Sequence, residues 1–286
     1  MKKVLVAGST GYLGKYLLQE CKQQGYWVRA LARSPHKLQN LKDCIDDLFI
    51  AEATKPDTLP GVCDDIDIII SSLGVASSRS NDKISVKEVD YGGNRNILDI
   101  ALSASVKKFI YVSFIITPEF EHLEIAKIKK MFEKDLKDSG LDYSIIRPTA
   151  FFVDLKETFE QARKGTVFLV GHGGYKANPI HGADLARICI NAIDSNEKLM
   201  SVGGPEVYTY QEAAELAFKI LGKEPKIKKI PGWPLKLIPK IMRPIMSERK
   251  HTLIQFLVNV FQNDAVAPKY GTHTLNDYFK EISNEQ

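Results

Sequence analysis

The sequence predicts an α/β protein: a Rossmann-type, doubly wound parallel sheet with a smaller, partly interleaved C-terminal part that binds substrate. Short apolar runs alternate with helical patterns through the first half of the chain, which is typical of parallel strands joined by crossover helices. A glycine-rich turn directly follows the first apolar run. We expect an NAD(P)-binding domain over residues 1–150 and a substrate-binding or lid region over residues 151–286, with residues 178–204 packing back onto the first domain.

The individual elements follow from apolar spacing. The clearest predicted strands are residues 4–7, 27–31, 66–70, 108–112 and 143–146. Apolar residues at helical spacing predict a first helix through Leu13, Leu17 and Cys21 that stops at Gly25. The other predicted helices cover residues 86–104, 124–138, 156–164, 184–193 and 210–221.

Composition narrows the class of protein. The chain of 286 residues is 44% hydrophobic and 26% charged, with a formal net charge of +4, which is ordinary for a globular protein. The basic residues are dispersed, so we expect no nucleic-acid partner. Four widely spaced cysteines without a C-x-x-C pair predict reduced thiols and no metal site. The first apolar run is too short for a secretory signal, and we expect a cytoplasmic monomer or homodimer without a transmembrane segment.

The turn after the first strand has the spacing of a dinucleotide-binding loop. Glycine permits the tight turn, lets backbone amides approach a pyrophosphate, and lets the helix close on the strand. The helix N-terminus then presents unpaired N–H groups to the phosphates. A turn that needs glycine for steric reasons alone is the alternative. The predicted cofactor-binding residues here are Gly8, Ser9, Thr10, Gly11, Tyr12, Leu13 and Gly14.

The end of the second strand indicates which dinucleotide binds. An acidic residue there would bind the adenosine ribose hydroxyls, but the strand ends in Ala32, Arg33 and Ser34. A guanidinium matches a 2′-phosphate, and Lys37 adds charge nearby, so the sequence favours NADPH, with NAD as the alternative. An arginine exposed to solvent, without a ligand, is the other interpretation of Arg33. The remaining predicted cofactor contacts are Ser72, Leu73, Gly74, Lys129, Pro148 and Thr149.

Several longer motifs resemble the atypical and extended short-chain dehydrogenase/reductase superfamily, in its NmrA-like or divinyl-reductase-like branch. The resemblance covers nearly the whole chain. Residues 108–113 are similar to the family's fifth strand with its active-site serine. The other matching segments are VDYGGNRNIL at 89–98, SGLDYSIIRPT at 139–149, IHGADLA at 180–186, GGPE at 203–206, YTYQE at 208–212 and VAPKYGTH at 266–273.

The resemblance implies catalytic roles for Lys129 and Ser113, but one family residue is missing. The family's tyrosine stands four residues before its lysine, on the same helical face. Here that position is Ile125, so the usual phenolic proton donor is absent. We expect Lys129 to place a cation beside the reaction centre, and Ser113 to donate to a substrate oxygen. An exposed lysine in a basic run, with Lys127 as the competing active lysine, is the alternative.

The missing tyrosine shapes the predicted reaction. A proton could come from Lys129 if burial lowers its pKa, from water, or from a loop residue such as His172 or Tyr175. Reduction of an enone or quinone requires hydride delivery foremost, so an NADPH-dependent reductase of an apolar conjugated molecule is favoured. A non-catalytic NAD(P) sensor or assembly factor of the NmrA-like type is the alternative. The predicted substrate-contacting residues are Phe151, Phe152 and Tyr175.

Two further features have less specific interpretations. We expect His181 and Asp184 to be structural, with the aspartate at the start of a helix, rather than an acid/base pair. Residues 233–246 mix apolar and basic side chains with prolines. For this segment we favour a lid over the pocket; core packing and peripheral membrane contact are the alternatives.

Overall fold

The computed structural model describes residues 1–75, 84–234 and 247–284. The chain divides into two compact units. The first unit comprises residues 1–113, 124–147 and 185–200. The second comprises residues 114–123, 148–184 and 201–286. The segment proposed as a lid, residues 233–246, lies outside the described residues from position 235 onward.

The secondary structure alternates as expected from the sequence. The strands are β1 (Lys3–Ala7), β2 (Trp27–Ala32), β3 (Asp47–Ile50), β4 (Ile68–Ser71), β5 (Lys108–Val112), β6 (Asp142–Pro148), β7 (Val167–Val170), β8 (Lys176–Ala177), β9 (Leu199–Val202), β10 (Tyr208–Thr209) and β11 (Ile227–Ile230). The helices are α1 (Tyr12–Gln23), α2 (Asn94–Ser103), α3 (Glu124–Asp138), α4 (Lys156–Arg163), α5 (Gly182–Asn191), α6 (Tyr210–Ile220), α7 (Glu248–Val260) and α8 (Leu275–Asn284). A 3₁₀ segment (Pro35–Cys44) follows β2, and a π-helical segment (Lys87–Gly93) leads into α2.

The central sheet has seven strands in the order β3-β2-β1-β4-β5-β6-β9. Every neighbouring pair from β3 through β6 is parallel. The chain therefore leaves β1 toward one side of the sheet and resumes at β4 on the other, and a crevice forms at such a switch point beyond the carboxyl ends of the strands. The predicted Rossmann-type α/β fold is confirmed.

The first unit is held together by apolar faces that the sequence pattern already indicates. On α1, Leu13, Leu17 and Cys21 are all buried, as their spacing predicts. The helix ends before Gly25, which adopts a φ of 78° that suits glycine. On the sheet, β4 and β5 are buried along their whole length, which explains their continuous apolar runs.

The second unit has its own core, built on aromatic side chains. Phe152, Phe159, Phe218 and Phe279 are all 2% exposed or less and belong to one cluster. This core joins the segments around α4, α6 and α8, while two small two-stranded sheets pair β10 with β8 and β11 with β7. The predicted helices at 156–164 and 210–221 correspond to α4 and α6 within one residue at each end.

Candidate functional site

The turn between β1 and α1 brings three backbone segments closer than side chains would allow. Gly8 has a φ of 79°, and Gly11 N donates to Gly8 O at 2.9 Å. A Cβ on Gly14 would lie 2.1 Å from Gly8 O, and a Cβ on Gly8 would lie 2.8 Å from the carbonyl carbon of Ser72. The glycines are therefore required by close packing of the turn against its own helix and against the end of β4.

The start of α1 is suited to an anion. Its N-cap is Gly11, so no cap side chain occupies the first-turn amides, and the charged residue in that turn is Lys15. Unpaired amides and the positive end of the helix dipole both favour phosphate. Ser9 serves the turn differently, because its buried hydroxyl donates to Leu31 O at 2.7 Å and ties the turn to β2. Leu13 is buried beneath the turn.

A polar cleft of about 470 Å³ lies beside this helix start. It lies between α1 and the 3₁₀ segment after β2, and its lining includes part of the glycine-rich turn and Lys37. Lys37 was expected here from the sequence; Lys15 was not, although it directly follows the last glycine of the motif. The residues that matter for a phosphate are Thr10, Gly11, Tyr12, Lys15, Lys37 and Asn40.

Arg33 is partly engaged by a carboxylate. Its Nη1 lies 3.2 Å from Glu52 Oε1, and the Arg33 side chain is 45% exposed. Glu52 also pairs with Lys55. Burial alone would raise the pKa of Glu52, but hydrogen bonds from Arg33 and Lys55 lower that pKa below its usual value. Arg33 thus stands at the end of β2 with a negatively charged neighbour that the sequence reasoning did not anticipate.

The turn after β4, which contains Ser72, Leu73 and Gly74, is anchored to both neighbouring elements. Ser72 N donates to Ala7 O at 3.0 Å. Asn94 Nδ2, at the start of α2, donates to Leu73 O at 3.2 Å. Gly74 is exposed, and a Cβ there would lie 3.0 Å from Asp90 Oδ1 and 3.6 Å from Lys129 Nζ. The turn therefore runs directly past a buried charged pair.

That pair contains the predicted active lysine. Lys129 is 8% exposed, and its Nζ lies 2.8 Å from Asp90 Oδ1 and 3.3 Å from the hydroxyl of Tyr111. Burial opposes the charge, but Asp90 and Tyr111 outweigh burial and raise the pKa of Lys129. From the sequence, Lys129 was one possible proton source if burial lowered its pKa. In the structure the pKa of Lys129 is raised instead, which does not favour that role.

The register of α3 separates the two lysines that the sequence left open. Lys129 is buried, whereas Lys127 is exposed. Ile125 lies one turn before Lys129 and is 7% exposed. An apolar side chain therefore occupies the position where the family resemblance places a tyrosine.

Ser113 carries a buried hydroxyl that no atom of the described residues bonds. It follows β5, is 6% exposed, and its N–H donates to Ile146 O at 2.8 Å. Its Oγ has no hydrogen-bond partner among residues 1–75, 84–234 and 247–284. Leaving such a group unsatisfied costs about 1–3 kcal/mol. A bound molecule that supplies the missing partner fits this observation.

The other predicted residues lie in the second unit. Pro148 O accepts from Ile115 N at 2.8 Å, and the Thr149 hydroxyl donates to Asn178 O at 2.6 Å. Phe152 is in the aromatic core of this unit, so its side chain packs internally. Phe151 is half-buried. Tyr175 is also half-buried and lies against His172, with ring centroids 4.4 Å apart.

His181 and Asp184 both contact His273 within the second unit. Asp184 is buried and accepts from Thr272 N and His273 N, both at 3.0 Å. Its other oxygen contacts His273 Nδ1 at 2.9 Å. His181 stacks on the His273 ring at 4.3 Å, and burial together with His273 lowers its pKa to about 4. Asp184 thereby holds the turn at residues 272–273.

Replacing Asp184 by alanine should destabilise the protein by about 2–4 kcal/mol, because the backbone N–H groups of Thr272 and His273 lose the buried carboxylate that accepts from them. Urea unfolding of the variant measures this change. Glu224→Ala, at an exposed acidic residue of the same unit, is the matched control and should change the free energy of unfolding by less than about 0.5 kcal/mol. Equal stability of the two variants would show that Asp184 does not hold the turn.

The fold and the glycine-rich site define an NAD(P)-binding Rossmann protein, and comparisons with known proteins give its family. A family profile described as NAD(P)H-binding matches residues 8–196. The chain belongs to this family, within the atypical short-chain dehydrogenase/reductase superfamily. The family resemblance stated from the sequence is confirmed, and a nicotinamide dinucleotide is the cofactor class.

Relatives of the chain include both enzymes and assembly factors. The chloroplastic divinyl chlorophyllide a 8-vinyl-reductase of Cucumis sativus is 30% identical over 99% of this chain and 76% of its own length. The photosystem II assembly factor Ycf39 of Trieres chinensis is 26% identical over 83% of this chain and 75% of its own length. The chain is thus related both to a protein named as a reductase and to a protein named as an assembly factor.

Solved structures share the fold. An NADPH-dependent quinone oxidoreductase of Escherichia coli, solved with NADPH, superimposes with a TM-score of 0.76 at 18% identity, covering 98% of this chain and all of that one. A triphenylmethane reductase of a Citrobacter species gives a TM-score of 0.71 at 15% identity, covering 98% of this chain and 99% of that one.

No helix within the described part of the chain has the length and apolar composition of a membrane span.

Proposed function

We propose that this protein is an NADPH-dependent reductase of an apolar, conjugated small molecule such as an enone or a quinone. The observation that carries the proposal is the buried ammonium of Lys129, held beside the exposed turn at Gly74. A fixed positive charge in a site of low polarity stabilises negative charge that develops on a substrate oxygen. The relationship to a vinyl reductase over nearly the whole chain supports the same class of reaction.

The chemistry requires two groups from the chain. When bound, the nicotinamide cofactor would supply a hydride to the conjugated acceptor. Electron density moves to the acceptor oxygen, where Lys129 stabilises it and the Ser113 hydroxyl donates a hydrogen bond. The resulting enolate or hydroquinone anion takes its proton from water. This sequence needs no phenol at position 125, so Ile125 is compatible with it.

The cleft beside α1 supports NADPH over NADH. Lys15 and Lys37 contribute two ammonium groups to its lining, and Arg33 stands at the end of β2. A 2′-phosphate adds negative charge that these three residues can balance. Glu52 weakens the contribution of Arg33, so we place the larger share on Lys37 and Lys15.

Lys37→Ala and Arg33→Ala should each weaken NADPH binding while leaving NADH binding within about 2-fold. We expect a loss of about 10-fold for Lys37→Ala, equivalent to about 1.4 kcal/mol, because a phosphate ion pair is removed. Calorimetric titration of each variant with both cofactors measures the change. Lys22→Ala, in the last turn of α1 and paired with Asp46, is the control and should affect neither cofactor. Equal losses for NADPH and NADH would exclude a 2′-phosphate role.

The reductase assay follows NADPH oxidation in the presence of a quinone, an enone and a simple aldehyde. We expect turnover with the first two and little with the aldehyde, because a simple carbonyl depends more on an acid/base group. Phe151 and Tyr175 remain our candidates for substrate contact. Turnover with none of the three, in a protein that binds NADPH, would contradict the reductase.

A non-catalytic NAD(P)-binding protein is the second candidate. Ile125 favours it, since a sensor or assembly factor needs no catalytic tyrosine, and one relative is an assembly factor by name. The Ser113 hydroxyl, which has no partner within the described ranges, and the buried Lys129 favour the enzyme, because a sensor has no need for either group. The same assay separates the two candidates.

We propose the cytoplasm as the location of the protein.

A further inference from the structure

Three buried polar side chains from three different elements meet inside the first unit. Asp90 comes from the π-helical segment, Tyr111 from β5 and Lys129 from α3. Their exposed fractions are 1%, 0% and 8%. Buried charge is costly unless it is paired and hydrogen-bonded, so this arrangement requires all three members. We call them the buried triad.

The carboxylate of Asp90 bonds to two different parts of the site. One oxygen lies 2.8 Å from Lys129 Nζ. The other accepts from the backbone N–H of Val75 at 2.8 Å. Because Val75 directly follows Gly74, Asp90 links the position of the ammonium to the end of the turn after β4.

Tyr111 fixes the ammonium from a second direction. Lys129 Nζ donates to its hydroxyl at 3.3 Å and lies 5.4 Å from its ring centroid. The ring packs edge-on against Phe132 with centroids 4.7 Å apart. Burial raises the pKa of Tyr111 to about 12, so the phenol keeps its proton. A fully buried phenol cannot touch a substrate, and Tyr111 therefore does not take the place of the missing tyrosine as a proton donor.

An ammonium carries three N–H donors, and the triad uses two of them. The third has no acceptor in the part of the chain that the structure describes. Glycine at position 74 keeps the space next to Nζ open, since a Cβ there would stand 3.6 Å away. A ligand atom at this turn can therefore receive the third donor.

We propose that Asp90 and Tyr111 are positioning residues, which fix the ammonium of Lys129 and the turn at Gly74 and Val75 so that one N–H remains for the bound ligand. The effect of Asp90 and Tyr111 on turnover rests on the proposed function, whereas their effect on the charge of Lys129 does not. Neither residue was singled out from the sequence.

Glu133, a second buried carboxylate of the first unit, already has a basic partner. Glu133 lies on α3 one turn beyond Lys129 and is 2% exposed. It pairs with Arg147 of β6, whose Nε lies 3.0 Å from Glu133 Oε1. Asp90 is therefore the carboxylate that balances Lys129, and its removal should leave the ammonium buried without a counter-charge.

The first test measures the charge of Lys129 directly and needs no substrate. Nuclear magnetic resonance of lysine labelled with ¹³C at Cε, assigned by loss of the signal in Lys129→Met, follows its titration in the protein without ligand. We expect the titration midpoint of wild-type Lys129 to lie above the ordinary lysine midpoint. In Asp90→Asn the midpoint should fall by at least about one pH unit, and in Tyr111→Phe by less. An unchanged midpoint in Asp90→Asn would overturn the fixed-charge part of the proposal.

The second test measures function, with menadione as the quinone probe. Asp90→Asn should lower kcat about 30-fold and Tyr111→Phe about 5-fold, while the Kd for NADPH changes less than about 3-fold. Asp135→Asn and Tyr91→Phe are matched controls, because these two residues are a carboxylate and a phenol of the same unit that hydrogen-bond to each other at 2.9 Å. Their kcat should stay within about 2-fold.

The outcomes of the two tests are separable. Loss of kcat in Asp90→Asn no greater than in Asp135→Asn would overturn the positioning role. Should Asp90→Asn fail to fold, as judged by circular dichroism, Tyr111→Phe alone decides, since it removes one oxygen and keeps the ring packing. If the wild-type protein shows no turnover but the titration midpoint of Lys129 still depends on Asp90, the reductase proposal is contradicted. The proposal that Asp90 fixes the charge of Lys129 is then still supported.

Discussion

Replacing Gly14 by alanine should reduce NADPH affinity by at least about 100-fold, equivalent to about 3 kcal/mol. A Cβ at this position would stand 2.1 Å from Gly8 O and 2.7 Å from Ser9 Cα. Both are backbone atoms that cannot move aside without opening the turn. The amides at the start of α1 would then leave the positions in which they face a pyrophosphate.

Calorimetric titration with NADPH measures this loss. Gly92→Ala is the matched control, because the nearest atom to a Cβ there is 3.9 Å away, and we expect its Kd to stay within about 2-fold of wild type. Circular dichroism shows whether the Gly14→Ala variant remains folded. A folded variant that binds NADPH within about 3-fold of wild type would show that the glycine turn is not the pyrophosphate site.

Replacing Lys129 by alanine should lower turnover of a quinone or enone by about 1000-fold, because the positive charge that stabilises the developing oxyanion is lost. NADPH binding should change only a few-fold, since the site we propose for the pyrophosphate is the glycine-rich turn. The same change leaves Asp90 buried without its partner, so we also expect a stability loss of about 3–5 kcal/mol.

Lys127→Ala is the control for this effect. Lys127 lies on the same helix two residues earlier but is exposed, and its removal should change neither turnover nor stability measurably. Steady-state kinetics of both variants with menadione provide the comparison. Unchanged turnover in Lys129→Ala would remove this residue from the reaction.

Continuous apolar runs and helical periodicity were sufficient to predict most of the first unit. The predicted strand 108–112 and helix 124–138 match β5 and α3 at both ends. β5 is buried on both faces and gives a continuous apolar run, whereas α3 is buried on one face and gives apolar residues at helical spacing. β3 and β9 were missed. β3 is the edge strand of the sheet, and its residues alternate between half-buried and exposed, so its apolar signal is weak.

The shape of the glycine-rich turn was predictable because it depends on backbone geometry. Each of its three glycines, which lie between a strand and a helix, relieves a specific steric conflict. Partnerships between distant side chains were not predictable from spacing. The contact of Arg33 with Glu52 and the meeting of Asp90, Tyr111 and Lys129 arise from the packing of separate elements, and a single sequence contains no record of which elements touch.

Lys15 shows most clearly what could not be predicted from the sequence alone. It lies on the exposed face of α1, where a lysine is usually a solvated surface residue, and it became a candidate when the structure placed it in the same cleft as Lys37. Its adjacency to the last glycine of the motif was the signal available in the sequence. Basic residues in the first turn after such a motif therefore merit attention as phosphate ligands.

A crystal structure with bound NADPH tests the central claim most directly, through the distance from Lys129 Nζ to the nicotinamide end of the cofactor. We predict the pyrophosphate on the amides of residues 11–13, the 2′-phosphate against Lys15 and Lys37, and the third N–H of Lys129 within hydrogen-bonding distance of the nicotinamide ribose or of an acceptor oxygen beside the ring. A nicotinamide bound far from Lys129, with the triad closed on itself, would contradict the account.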